Sequence, residues 1–125
     1  MASYVIWMDS KEGKIFDLLP EGPKVRHLHT HGHKNRMPPY GDNNSEHHHH
    51  LDAFFKEIAD SIKDAKEVIV LGPSEAKLHF KSYLEKHFAH TLATKLVAVE
   101  TVDHPTDNQI LAHARKFFKI AAIES

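Results

Sequence analysis

An almost wholly apolar run at residues 67–71 (EVIVL) lies between two segments with helical periodicity. A run of this kind, ended here by Gly72 and Pro73, is typical of a strand covered on both faces of a sheet. The segment before it has apolar residues at helical spacing and polar residues opposite them, which predicts an amphipathic helix from Ser45 onward; the apolar positions are Leu51, Phe54, Phe55, Ile58 and Ile62. Because helical crossovers connect parallel strands, the sequence predicts an α/β fold.

The N-terminal part has a different pattern. Residues 4–8 (YVIWM) and 14–19 (KIFDLL) are short apolar runs separated by a turn that ends at Gly13, which predicts an antiparallel hairpin. A second turn at residues 20–23 leads into KVRHLHTHGH, where Val25 and the alternating histidines predict a third strand that frays into a loop. The first three strands therefore form an antiparallel meander.

The C-terminal half alternates helices and strands. Ser74 is the predicted N-cap of a second helix, and residues 95–101 are predicted to form another buried strand. Thr106 and Gln109 have capping-box spacing before a third helix that extends to about residue 120. The whole chain, residues 1–125, is predicted to be a single α/β domain with a mixed sheet, in which the meander is followed by βαβα. The ribonuclease-H-like architecture fits this order.

Composition excludes several classes of protein. The chain has no cysteine, which removes disulfides, thiolate metal sites and cysteine nucleophiles. It has no apolar run of the length that a membrane span needs, so we expect a cytoplasmic protein without a membrane partner. The formal net charge of -1 excludes an overall basic field, and the 13 histidines make the surface charge sensitive to pH near neutrality.

The histidines form a candidate metal site. In an extended segment, alternate side chains point the same way about 6.8 Å apart; here these are His27, His29, His31 and His33. Neutral imidazole is a common ligand of Zn²⁺ and Ni²⁺, and the run at residues 47–50 could complete the site. The alternative is a solvated tract that chelates metals adventitiously. We interpret His47, on the apolar face of the first helix, as a half-buried structural residue.

The same region is the one basic segment, with no acidic residue between positions 22 and 41. RNA phosphate is the natural partner of such a segment, and an aromatic ring can stack on bases. The candidate RNA-binding residues are Lys24, Arg26, Lys34, Arg36 and Tyr40. An ordinary solvated loop is the alternative.

Three carboxylates at predicted strand ends raise an enzymatic alternative. Asp9, Glu100 and Asp103 could hold two Mg²⁺ ions for phosphodiester cleavage. Asp9 also lies in a turn, where aspartate is common, and Asp103 could bond to the backbone at a helix start. No serine lies in a nucleophile elbow, so we expect no catalytic triad.

Four segments together resemble a group of small bacterial proteins known as translational machinery proteins: VIWMDSKEGKIF, the histidine-rich loop, EVIVLGPSEAK and VAVETVDHPTDNQILAHARKFF. The most specific stretch is VETVDHPTDNQ, whose family-motif residues here are Asp103, His104, Pro105 and Asp107. That group is similar to the central domain of archaeal and eukaryotic class 1 release factors and of Pelota. The resemblance implies a ribonuclease-H-like fold and contact with the ribosome.

The release factors carry a Gly-Gly-Gln motif in the loop between the third strand and the first helix, and it promotes hydrolysis of peptidyl-tRNA. The corresponding loop here, residues 30–46, has Gly32 and Gly41 apart from each other, and the only glutamine of the chain is Gln109. The sequence therefore predicts a non-catalytic module that binds the ribosome, ribosomal RNA or tRNA through a flexible histidine-rich loop at about 27–50. No cofactor is required; a Zn²⁺- or Ni²⁺-binding protein and a Mg²⁺-dependent nuclease are the alternatives, and the oligomeric state stays open.

Overall fold

Five strands form one mixed sheet in the computed structural model, which describes residues 2–19, 21–29 and 44–118, with residues 44–51 described in backbone only. The strands are β1 (Ala2–Met8), β2 (Glu12–Leu19), β3 (Gly22–His29), β4 (Ala65–Gly72) and β5 (Leu96–Thr101). Their order across the sheet is β3-β2-β1-β4-β5. The pairs β1–β2 and β2–β3 are antiparallel, whereas β1–β4 and β4–β5 are parallel. The predicted α/β domain, with a meander followed by parallel strands, is confirmed.

Helices cover both faces of this sheet. They are α1 (Asn44–Ser61), α2 (Ala76–His87), α3 (Leu92–Lys95) and α4 (Asp107–Phe118). The predicted amphipathic helix before β4 is α1, and the predicted helix after β5 is α4. None of the helices in the described part of the chain combines the length and the apolar character needed to cross a membrane.

Alternation along the strands divides the core into two layers. The first apolar layer lies between the sheet and helices α1 and α2, and includes Ile6, Phe54 and Phe80. The second apolar layer lies between the sheet and α4, and includes Trp7 and Ile110. Since neighbouring residues of β1 point into different layers, nearly the whole strand is buried. The continuous apolar run at residues 67–71 has the same cause, because β4 lies inside the sheet.

The C-terminal ends of β1 and β4 approach each other closely at Gly72. A Cβ atom placed on Gly72 would lie 2.2 Å from the carbonyl oxygen of Met8. The backbone N–H of Val102 donates to the carbonyl of Gly72 at 3.0 Å. Only glycine fits this position, and it allows β1, β4 and the segment after β5 to converge.

Three details of the second half differ from the sequence prediction. The strand predicted at residues 95–101 is β5, but the prediction that it is buried was wrong: none of its residues is buried, because it lies at an edge of the sheet and pairs with β4 alone among the described strands. Glu75, not Ser74, is the N-cap of α2, and it makes no side-chain cap. The prediction for Ser74 was wrong because the helix begins one residue later, where Leu78 and His79 donate backbone hydrogen bonds to the Glu75 carbonyl. The short helix α3 was not predicted, since four residues are too few to show a helical period.

The predicted capping box of α4 is confirmed. The backbone N–H of Gln109 donates to Thr106 Oγ1 at 3.2 Å, and the backbone N–H of Thr106 donates to Gln109 Oε1 at 2.9 Å. Both groups therefore satisfy otherwise unpaired donors at the helix start. The only glutamine of the chain has a structural partner at this position.

Candidate functional site on the edge strand

The candidate site lies on β3, an edge strand of the sheet. Among the described strands β3 pairs with β2 alone. Most of its side chains are exposed, and Leu28 is the buried exception. The segment 30–43, which continues from the end of β3, lies outside the described residues. The strand therefore presents its side chains to solvent where the histidine-rich sequence begins.

One side of β3 carries the two basic residues Lys24 and Arg26, and we call it the basic face. In the β2–β3 register, Lys24 lies opposite Asp17 and Arg26 lies opposite Ile15. These side chains line an open cavity of about 270 Å³, together with Tyr4, Val25 and Ser61 at the end of α1. The basic face is therefore the solvent-facing margin of the first apolar layer.

Two acidic side chains next to the basic face, Asp17 and Asp64, interact with its neighbouring groups and change their pKa values. Oδ1 of Asp17 is buried and has no hydrogen-bond partner among the described residues. Burial raises the pKa of the Asp17 carboxyl above its ordinary value, and the charge of Asp64 raises it further, while Lys24 lowers it. The Tyr4 hydroxyl donates to Asp64 Oδ1 at 2.6 Å. Burial and this hydrogen bond raise the pKa of Tyr4 well above its ordinary value.

The opposite side of β3 carries His27 and His29, and with Glu12 of β2 it forms what we call the histidine face. Glu12 lies opposite His29 in the strand register. Its Oε1 atom is 2.5 Å from Nε2 of His27, and the rings of His27 and His29 have centroids 4.3 Å apart. Ligand atoms of the three residues all lie within 4.8 Å of one another.

The structure therefore separates groups that the sequence analysis treated as one segment. Lys24 and Arg26 share one face because they are two residues apart, and His27 and His29 share the other for the same reason. The remaining predicted site residues, Lys34, Arg36, Tyr40, His31 and His33, lie outside the described residues. The run at residues 47–50 belongs to the backbone of α1.

Glu12 is a site residue that the sequence analysis missed. The β2–β3 register pairs Leu19 with Gly22, which places position 12 opposite position 29. Placing the turn tightly between Leu19 and Gly22 would have identified this partner, whereas a turn over residues 20–23 conceals it.

The motif stretch after β5 is tied to β1 and β2. The indole Nε1 of Trp7 donates to the carbonyl of Asp103 at 3.0 Å, and the Trp7 and His104 ring centroids are 5.2 Å apart. Nδ1 of His104 is 2.9 Å from Asp103 Oδ1. Lys14 donates to Asp107 at the start of α4, at 3.2 Å. Asp103, His104 and Asp107 therefore join the α4 connection to the first hairpin, and Pro105 lies between them.

The three carboxylates of the nuclease alternative, Asp9, Glu100 and Asp103, each have a hydrogen-bond partner within the chain. Oδ1 of Asp9 accepts the backbone N–H groups of Lys11 and Glu12 at 2.8 and 2.9 Å, which closes the β1–β2 turn. Oε1 of Glu100 is 2.9 Å from Nε2 of His113 on α4. Within the described ranges, the group of three or more residues placed to share a metal ion is Glu12, His27 and His29. Asp9 and Asp103 both lie near His104, whose Nε2 is 4.0 Å from Asp9 Oδ2 and whose Nδ1 is 2.9 Å from Asp103 Oδ1, but the two do not form with Glu100 a group placed to share a metal ion.

Comparison with known proteins identifies the fold. No protein-family model matches the chain. No curated protein matches it either. Solved structures do: Pelota from Archaeoglobus fulgidus is 15% identical with a TM-score of 0.62 over 98% of this chain. Pelota from Thermoplasma acidophilum is 17% identical with a TM-score of 0.60 over 93% of it.

A third similar structure is the archaeal translation termination factor aRF1, which is 19% identical with a TM-score of 0.54 over 98% of this chain. The chain spans 35% of the Archaeoglobus Pelota chain, 32% of the Thermoplasma Pelota chain and 41% of aRF1. At this level of identity the similarity concerns the fold. The chain therefore has the α/β fold of one part of Pelota and of aRF1, as the resemblance implied.

Proposed function

We propose that this chain is a translation-related module that associates with the ribosome through RNA and has no catalytic role. The observation that carries the proposal is the fold similarity to a translation termination factor over 98% of the chain. The stretch VETVDHPTDNQ, which resembles the bacterial translational machinery proteins, supports the same assignment. Membership of that bacterial group and a cytoplasmic location are parts of the proposal.

The proposed contact element is the basic face together with the segment that follows β3. Lys24 and Arg26 are exposed on an edge strand, so an RNA backbone can approach them without displacing another strand. Lys34, Arg36 and Tyr40 follow closely in sequence and would add two cations and a stacking ring. A chain with a net charge of -1 binds RNA only if its positive charges are local, and this segment has that property.

The absence of catalysis is inferred from the residues available for chemistry. Hydrolysis of peptidyl-tRNA by the release-factor route needs a Gly-Gly-Gln motif, and no two glycines of this chain are adjacent. Glu100 is engaged with His113, and Asp9 closes a turn. A binding role at the ribosome or on tRNA fits these residues better than a reaction on either.

Co-sedimentation of the untagged protein with ribosomes through a sucrose gradient tests the proposal. The test variant replaces Lys24, Arg26, Lys34 and Arg36 with alanine. A matched control removes four exposed positive charges from α2 and α4, namely Lys81, Lys86, Arg115 and Lys116. Because phosphate contacts release counterions, binding should weaken steeply as salt rises.

The expected result is migration of the native chain and of the control with ribosomal particles at low salt, and loss of that migration in the test variant. Native protein that stays at the top of the gradient in both salts would overturn the proposal. Equal loss in the two variants would show that net charge, and not this face, governs the association.

A further inference from the structure

We propose that the histidine face is a binding site for a divalent transition metal ion such as Zn²⁺, with Glu12, His27 and His29 as its protein ligands. This inference does not depend on the proposed ribosomal function. It rests on the side chains that the β2–β3 register brings together and on their ligand chemistry.

Register and alternation explain why the three side chains meet. His27 and His29 are two residues apart in β3, so both project from one face of the sheet. Glu12 is directly opposite His29 on the antiparallel neighbour, where facing side chains lie close together. The backbone of a paired hairpin therefore holds all three ligands.

The distances suit a shared ion. The closest pair, Glu12 Oε1 and His27 Nε2, is 2.5 Å apart, and ligand atoms of the whole group lie within 4.8 Å of one another. Two atoms bound to a tetrahedral Zn²⁺ at about 2.0–2.1 Å lie about 3.3 Å apart, which is inside this range. Small side-chain rotations can therefore reach a coordinating geometry without movement of the strands.

The donor set selects the class of metal. Two imidazole nitrogens and one carboxylate oxygen are ligands for Zn²⁺, Ni²⁺ and related ions, whereas Mg²⁺ and Ca²⁺ require mostly oxygen. All three side chains reach solvent, with 43% of the His27 side chain and 31% of the Glu12 side chain exposed. An ion can therefore enter directly, and a three-ligand site leaves a coordination position open to water or another ligand.

Neighbouring groups are compatible with a cation at this place. Lys14 lies opposite His27 in the register, but its ammonium group is 3.2 Å from the carboxylate of Asp107. The Asp107 carboxylate therefore balances the positive charge of Lys14, the one lysine of β2. A bound divalent ion would replace the contact between Glu12 and His27, which joins two partly exposed side chains and so contributes little to stability.

Competition of the untagged, metal-free protein with a chromophoric Zn²⁺ indicator at constant pH tests the site. The double variant H27A/H29A and the single variant E12Q are compared with a control in which His47, His48, His49 and His50 become alanine. The control is needed because that histidine run can chelate metals by itself. Circular dichroism verifies that each variant is folded.

We expect one stoichiometric Zn²⁺ site in the native chain and in the control, at least about a tenfold weaker affinity in E12Q, and loss of the site in H27A/H29A. In two-dimensional NMR spectra, Zn²⁺ should shift the backbone amides of residues 12–14 and 27–29 first. A site that survives H27A/H29A when His47, His48, His49 and His50 are also alanine, or that disappears in the control alone, would overturn the proposal. So would Zn²⁺ binding that the indicator removes completely from the native chain.

Discussion

β1 and β3 both pair with β2, yet they are composed in opposite ways. Six of the seven residues of β1 are buried, and the five apolar ones among them are divided between the two apolar layers. Of the eight residues of β3, one is buried and six are exposed. A strand inside the sheet is thus specified by packing on both faces, whereas the edge strand is free to carry charged and metal-binding side chains. Stability and candidate function are therefore assigned to different strands of one sheet.

The sharpest test of the interior is Gly72→Ala. The new Cβ would lie 2.2 Å from the Met8 carbonyl oxygen, so β1 and β4 would have to separate. We expect a loss of at least about 4 kcal/mol in the free energy of unfolding, measured by denaturant titration. Gly22→Ala, at the start of β3, is the control: its φ of +139° is unfavourable for alanine, but no atom of the described residues lies within 4 Å of the added Cβ. A smaller loss for Gly72 than for Gly22 would contradict the comparison.

Truncation of matched side chains separates the two strands directly. Ile6 of β1 is fully buried, and Ile6→Ala should cost about 2–5 kcal/mol of stability. Val25 of β3 is 49% exposed, and Val25→Ala should change stability by less than about 0.5 kcal/mol. Thermal and denaturant unfolding measure both. Similar losses at the two positions would show that the edge strand contributes to the core as much as β1 does.

Leu28 provides a further test of the difference between β1 and β3, because it is the residue of β3 that packs in the first apolar layer. Leu28→Ala should destabilise the protein by about 2 kcal/mol, less than Ile6→Ala, since Leu28 lies at the margin of that layer. Amide hydrogen exchange should show faster opening of β3 than of β1 in this variant. Equal acceleration in both strands would indicate that β3 unfolds only with the whole sheet.

The smallest effect is expected at Asp17 and depends on pH. The pKa of the Asp17 carboxyl is raised in the folded state. At a pH above this raised pKa, the ionised carboxylate therefore lowers the free energy of unfolding. The destabilisation disappears below a pH of about 3.9, the pKa of aspartate in the unfolded chain, because the carboxyl is then protonated in both states. Asp17→Asn should therefore raise the Tm slightly at pH 7 and leave it unchanged in acid. Asp60 is the control, since its hydrogen bond to Lys56 lowers its pKa. Asp60→Asn should lower the Tm at neutral pH, and the same sign for both variants would refute this account.

Sequence patterns predict the fold more completely than they predict the candidate site on β3. The buried run at residues 67–71, the amphipathic α1 and the capping box at Thr106 each have a local signal, and each matches the structure. The sequence also contains a signal that Lys24 and His27 lie on opposite faces of β3, because even and odd positions of one strand face opposite ways. The participation of Glu12 depends on the pairing of two strands, and residue types alone do not determine that register.

The position of Trp7 also determines what an optical experiment on this protein observes. Trp7 is the only tryptophan, is 3% exposed and belongs to the second apolar layer, where its indole holds the connection to α4. Tyr4 and Tyr83 belong to or pack against the first layer. Fluorescence excited where only tryptophan absorbs therefore reports on one side of the sheet, and emission from Tyr4 and Tyr83 reports on the other; in a Tyr40→Phe variant these two are the only tyrosines. Coincident unfolding transitions in the two signals would show that the layers on both sides of the sheet unfold as a single cooperative unit.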